Sequence, residues 1–114
     1  MNHTMNLQSI YFEKIKNGTK IFEIRLNDEK RQKIKIGDSI IFTNQANQNQ
    51  SIVATVEDLL HFKSFKQMAS SLPLNQVGFE GFNVNEVEKI YHQFYSTENE
   101  KHYGVLAIKI KKMA

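Results

Sequence analysis

The chain has 114 residues, 40% apolar and 24% charged, the size and balance of one ordinary soluble domain spanning 1–114. It has no cysteine and four scattered histidines (His3, His61, His92, His102), which excludes disulfides, a thiolate zinc site and a cysteine nucleophile. No metal or cofactor is expected. The net charge of +3 permits a nucleic-acid partner without requiring one. The longest apolar runs are too short to cross a bilayer, and the first six residues lack the basic start and apolar stretch of a signal peptide, so a cytoplasmic location is expected.

In chain order, the first predicted element is a helix from Ser9 to Asn17. Ser9 is its cap, Ile10, Tyr11 and Ile15 face inward, and Gly18 ends it where a positive φ is cheap. The run from Lys20 to Leu26 alternates as a strand, with Phe22, Ile24 and Leu26 on one face and Ile21, Glu23 and Arg25 on the other. A charged connection over 27–33 and a Gly37-Asp38 turn lead to a second strand, Ser39 to Thr43. The polar stretch Asn44 to Gln50 reads as the exposed loop of a hairpin, returning into a long strand from Ile52 to Leu60.

Ser64 and Gln67 predict a capping box for a helix to about Ser71, with Phe65, Met68, Ala69 and Leu72 at helical spacing and Pro73 as the stop. Asn83 and Glu86 predict a second box, with Val84, Val87, Ile90 or Tyr91, and Phe94 on the inner face of the following helix. A last strand, Tyr103 to Lys111, puts Leu106, Ile108 and Ile110 on one side. Strands of this length, joined mostly by turns, argue against a doubly wound parallel sheet. A mixed α+β fold is expected, a small curved antiparallel sheet or barrel with two or three short peripheral helices.

The charge is unevenly spread. Residues 1–35 carry +4, residues 36–108 carry −4, and Lys109, Lys111 and Lys112 add +3. A basic side of this kind suits a phosphate backbone, although charge runs are more often solubilising surface.

Two places invite chemistry. Glu23 and Arg25, two apart on a strand, leave the same face about 6–7 Å apart. Together they accept and donate toward a base edge, or else form a structural ion pair. Lys20 follows Gly18-Thr19, where the strand has not necessarily begun, and its direction stays open. Glu80, between Gly78-Phe79 and Gly81-Phe82, is either a pocketed general acid or base or an exposed loop carboxylate between two anchoring rings. Phe22, Phe42, Phe65 and Phe94 have core periodicity, which leaves Phe79, Phe82 and Tyr103 for stacking on a ligand.

The spacing Phe12-x-x-Ile15-x-x-Gly18-x-Lys20-x-x-Glu23-x-Arg25, then Asp28-x-Lys30-Arg31, then Ile36-Gly37-Asp38-x-Ile40-x-Phe42, resembles an ASCH domain of the PUA-like superfamily. The closing Tyr103-Gly104-Val105-Leu106-Ala107-Ile108 is similar to the last strand of small bacterial members. The resemblance implies a PUA-like β-barrel with helices across its openings and a cleft lined by Lys20, Glu23 and Arg25. It also implies association with RNA or nucleotides. One branch of similar size hydrolyses the amide of N4-acetylcytidine through a Lys, a Thr three residues on and a distant Glu. Those positions correspond to Lys20, Glu23 and Glu80, so an acid stands here where that branch has a hydroxyl.

The leading expectation is an RNA- or nucleotide-binding domain. Lys20 and Arg25 would meet phosphate or base, and Glu23 would read a donor edge. Tyr103 would stack, and Lys30, Arg31, Lys33 and Lys35 would follow the backbone. An amidohydrolase using Lys20, Glu23 and Glu80 is the alternative, and a protein-interaction module meeting an acidic partner is the third reading.

Overall fold

Alternating apolar residues and well-placed turns give five strands, and all five join one sheet. The computed structural model describes residues 1–113. Its elements run β1 (Asn2–Leu7), α1 (Ser9–Lys16), β2 (Phe22–Leu26), a 3-10 turn (Arg31–Lys33), β3 (Ser39–Asn44), β4 (Asn47–Phe62), α2 (Phe65–Ser71), α3 (Leu74–Val77), α4 (Val84–Tyr91), α5 (Thr97–Tyr103) and β5 (Val105–Lys112). The strand order is β1-β3-β4-β5-β2. This is the expected mixed α+β architecture, realised as a curled half-barrel whose open edges are β1 and β2.

The helical periphery is richer than the expected two or three helices, with five short α-helices among the described residues. One pairing also departs from an antiparallel sheet: β1 runs parallel to β3, with Met5 opposite Phe42. The remaining neighbours are antiparallel.

Curling is built into β4. Its first half pairs with β3 and its second with β5, and the register shifts between Val56 and Asp58. The extra residue, Glu57, is the kind of bulge that bends a strand and sharpens its twist. Ile52, Ala54 and Val56 enter one core before the shift, whereas Leu60 and Phe62 pack against the other after it. The polar run expected as a loop is mostly strand: only Gln45 and Ala46 form the turn, and Asn47 to Gln50 belong to β4.

The two cores lie on either side of β5. Leu106, Ile108 and Ile110 join Phe12, Ile15, Ile40 and Phe42 in the first. Val105 and Ala107 join Phe22, Ile24, Phe65, Met68, Val77, Phe79 and Val87 in the second. A strand buried on both faces reads as a continuous apolar run, as Val105 to Ile108 does.

Caps set most helix boundaries. Asn83 and Glu86 exchange both bonds of a capping box at α4. At α2, Ser64 accepts from the Gln67 N–H, but the Gln67 side chain reaches back to the Lys63 N–H, one residue further than the expected box. Gln8, not Ser9, precedes α1, and Phe12 and Ile15 are its buried residues while Ile10 is 57% exposed. Phe94 is also exposed, because α4 ends at Tyr91 and the helical spacing stops there.

Candidate ligand-binding site

The gap between the two sheet edges is where the polar residues gather. A cavity of about 280 Å³ opens there, floored by Lys20, Glu23 and Arg25. Tyr11, Phe79, Ile90, Tyr91, Phe94 and Tyr95 wall one side, and Asn6, Gln8 and Gln45 rim the other.

Lys20 reaches the floor because α1 ends in a tight reversal. Gly18 takes φ +87°, and the Lys20 N–H returns to the Lys14 carbonyl. The side chain then turns inward and is only 3% exposed. Its ammonium donates to the carbonyls of Phe22 and Val77 and lies 3.2 Å from Glu23 Oε1. Three acceptors match the three protons of an ammonium group and fix the Lys20 side chain as an anchor. Tyr11 caps it, with the nitrogen 5.9 Å from the ring centre, and Gly78 leaves room for the stem. A Cβ at position 78 would come within 3.1 Å of Lys20 Cδ.

Glu23 is the centre of the relay. Its Oε2 accepts from Arg25 Nε at 2.7 Å, and Arg25 Nη2 continues to the Asn6 carbonyl at 3.0 Å. Burial alone would raise the Glu23 carboxyl, but the charges and hydrogen bonds of Lys20 and Arg25 outweigh it and hold the group below its usual range. Burial pushes Lys20 downward against the opposing pull of Glu23. Arg25 is lowered by burial and raised more strongly by Glu23. The floor therefore sets the Glu23 carboxylate, held low, between the Lys20 and Arg25 side chains. Both carboxylate oxygens keep lone-pair capacity, and the guanidinium keeps unused N–H groups.

The aromatic wall is held in place from behind. Tyr91 and Tyr95 stack on buried Phe65 with ring centres 4.6 and 5.4 Å away, and Phe79 meets Tyr11 and Tyr91 at 5.6 Å each. Burial raises the phenol pKa of Tyr11, Tyr91 and Tyr95, and the Glu23 charge adds to it, so all three remain protonated donors at neutral pH.

The other residues singled out in the sequence lie outside this lining. Glu80 is exposed beyond it. Lys30, Lys33 and Lys35 are exposed, and Arg31 pairs with Asp28. Tyr103 donates to Glu29, and Phe82 is 42% exposed outside the lining. Among the described residues no group of three His, Cys, Asp or Glu side chains is arranged to hold a metal ion.

Sequence reasoning missed the tyrosines and the amide rim. The available signal was hydroxyls rather than plain rings at three inward-facing aromatic positions, since a buried phenol normally finds a partner.

The model of the ASCH domain matches residues 5–114. The crystal structure of hypothetical protein PH0355 is 40% identical, with a TM-score of 0.89 over 99% of this chain and 100% of that one. The solution structure of protein PF0455 from Pyrococcus furiosus is 35% identical, with a TM-score of 0.80 over 99% and 98%. The crystal structure of ASCH from Zymomonas mobilis shares the fold at 14% identity, with a TM-score of 0.64 over 96% of this chain and 66% of that one. The search of curated proteins gives no match.

Proposed function

The chain belongs to the ASCH-domain family, and from that premise we propose that it is an RNA- or nucleotide-binding domain whose cavity takes a single nucleobase. The observation that carries this reading is the carboxylate relay: an ionised Glu23 beside Arg25, at the bottom of a cavity walled by fixed aromatic rings. Flat walls favour a flat heteroaromatic ring. The carboxylate accepts from exocyclic or ring N–H groups, and the free guanidinium N–H groups meet a ring carbonyl or phosphate oxygen.

Size supports one base and no more. A cavity of about 280 Å³ is at the small end of the ~300–1,000 Å³ typical of ligand sites. In an RNA ligand the neighbouring nucleotides stay outside, where the exposed Lys30, Lys33 and Lys35 offer cations to the backbone. Hydrolysis of an acylated cytidine through Lys20 and Glu80 calls for both in one cavity, and Glu80 stands outside it.

The test is calorimetric titration of a single-stranded RNA and of the four ribonucleosides into the wild type and Arg25→Ala. Losing a charge-assisted contact should weaken both ligands about tenfold or more. RNA affinity should fall steeply with salt while nucleoside affinity barely moves. If neither ligand class binds the wild type at low salt, the reading is wrong.

A further inference from the structure

The polar groups of the cavity are segregated by type. The phenols of Tyr91 and Tyr95 stand at and just after the end of α4 and that of Tyr11 on α1, the charges stand on the floor, and three carboxamides, Asn6, Gln8 and Gln45, stand around the end of β1. The amides come from separate segments that the backbone draws together. The Gln45 N–H bonds the Leu7 carbonyl at 2.8 Å, which sets the β3–β4 turn against the end of β1 between Asn6 and Gln8. The neighbouring Asn44 side chain does the fastening, donating to Ser9 Oγ and Gln50. Asn44 is thus spent on structure. Among the described residues, the side-chain amides of Asn6, Gln8 and Gln45 have no protein partner.

A carboxamide offers both donors and an acceptor, whereas Lys and Arg only donate and a carboxylate only accepts. A pair of neighbouring hydroxyls, each both donor and acceptor, is the ligand group that such a rim satisfies best. A phosphate is not, because none of the three rim residues carries a cation. Resting on the base-binding reading above, we propose that Asn6, Gln8 and Gln45 form a subsite for the 2′,3′-diol of a ribose. The base then lies against the Tyr91 and Tyr95 wall with its edge on Glu23 and Arg25, and the sugar points across the cavity to β1. The site is accordingly selective for ribose over deoxyribose, a discrimination carried by the 2′-hydroxyl.

The test pairs adenosine, cytidine, guanosine and uridine with their 2′-deoxy forms, titrated into the wild type, Asn6→Ala/Gln45→Ala and Arg25→Ala. The wild type should bind at least one ribonucleoside about fivefold tighter than its deoxy form, the worth of one neutral hydrogen bond. The rim variant should bind that ribonucleoside and its deoxy form equally, the ribonucleoside losing more because the deoxy form has only its 3′-hydroxyl to lose. Arg25→Ala should weaken both, since it removes the base contact and also the bond that holds the Asn6 backbone. Equal ribo and deoxy affinities in the wild type, or an unchanged ratio in the rim variant, overturn the ribose subsite while base binding stands. No nucleoside bound at all overturns the base-binding reading and this subsite with it.

Discussion

Two carboxylates in this protein are equally hidden, Glu23 and Glu100, each 6% exposed, and they are spent differently. Glu100, on α5, accepts the Phe65 N–H at the start of α2 at 2.7 Å and meets His92 Nε2, just after α4, at 2.8 Å. Its partners tie three helices together, and it lies outside the cavity lining. Glu23 has two cations for one charge and faces an opening lined with phenols. Burial of an acid is therefore no pointer to function. What separates the two sites is polar capacity left over, facing a space large enough for a ligand.

The largest effect expected from breaking this contrast is Glu23→Ala. It strands the buried Lys20 ammonium and should cost about 3 kcal/mol in urea unfolding, together with ligand binding. The double variant Lys20→Met/Glu23→Leu should recover only part of that stability and no binding, because the buried pair goes but Arg25 and the Phe22 and Val77 carbonyls lose their partners. Recovery of binding in the double variant would mean that the relay does not read the ligand. Next is Glu100→Ala, which leaves a buried N–H without its acceptor and should cost about 2 kcal/mol. Nucleoside and RNA titrations of this variant should match the wild type, and a tenfold loss would erase the contrast.

A smaller effect is expected in acid. Glu23 titrates below 4.5 when folded, and Asp38 titrates at about 2 rather than 3.8, held down first by His3 and then by the Lys35 N–H. A depressed carboxyl favours the folded state while ionised, so both contributions are whole above the unfolded values and disappear as pH falls through the folded ones. Urea midpoints should be insensitive to these two groups between pH 7 and 5 and should fall below about pH 4. Asp38→Asn should make the fall between 3.8 and 2 shallower. Least of all, Glu80→Ala should leave both stability and nucleoside affinity at wild-type levels.

How much of this was legible depended on whether a residue's job was local. The alternation of Phe22, Ile24 and Leu26, the positive φ of Gly18 and the Asn83–Glu86 box were readable because neighbours in sequence decide them. β1 was not, since Asn2 to Leu7 buries only Met5 and Leu7 and owes its form to pairing with β3 35 or more residues away. α5 escaped because its seven residues are mostly polar and its buried one is a glutamate. The amide-rich run was misread as a loop, since pairing at Asn47 with Asn44 and at Ser51 with Thr43 draws the residues between them into β4 whatever their side chains prefer. At the site, Lys20, Glu23 and Arg25 are close in sequence and stood out. The facing tyrosines are contributed from positions 11, 91 and 95, far apart in sequence, and only their hydroxyls distinguish them from core aromatics.

The unclosed edge has a consequence of its own. Among the described residues, the Arg25 bond to the Asn6 carbonyl is the only hydrogen bond between β1 and β2, so the sheet is fastened there by a side chain rather than a ladder. A seam of this kind breathes, and amide protons along β1 should exchange with solvent sooner than those of β5, which is paired on both sides. A ligand lodged between Arg25 and the residues around Asn6 would act as a stitch across it. Slowed exchange at the end of β1 would then report occupancy of the cavity from the backbone alone.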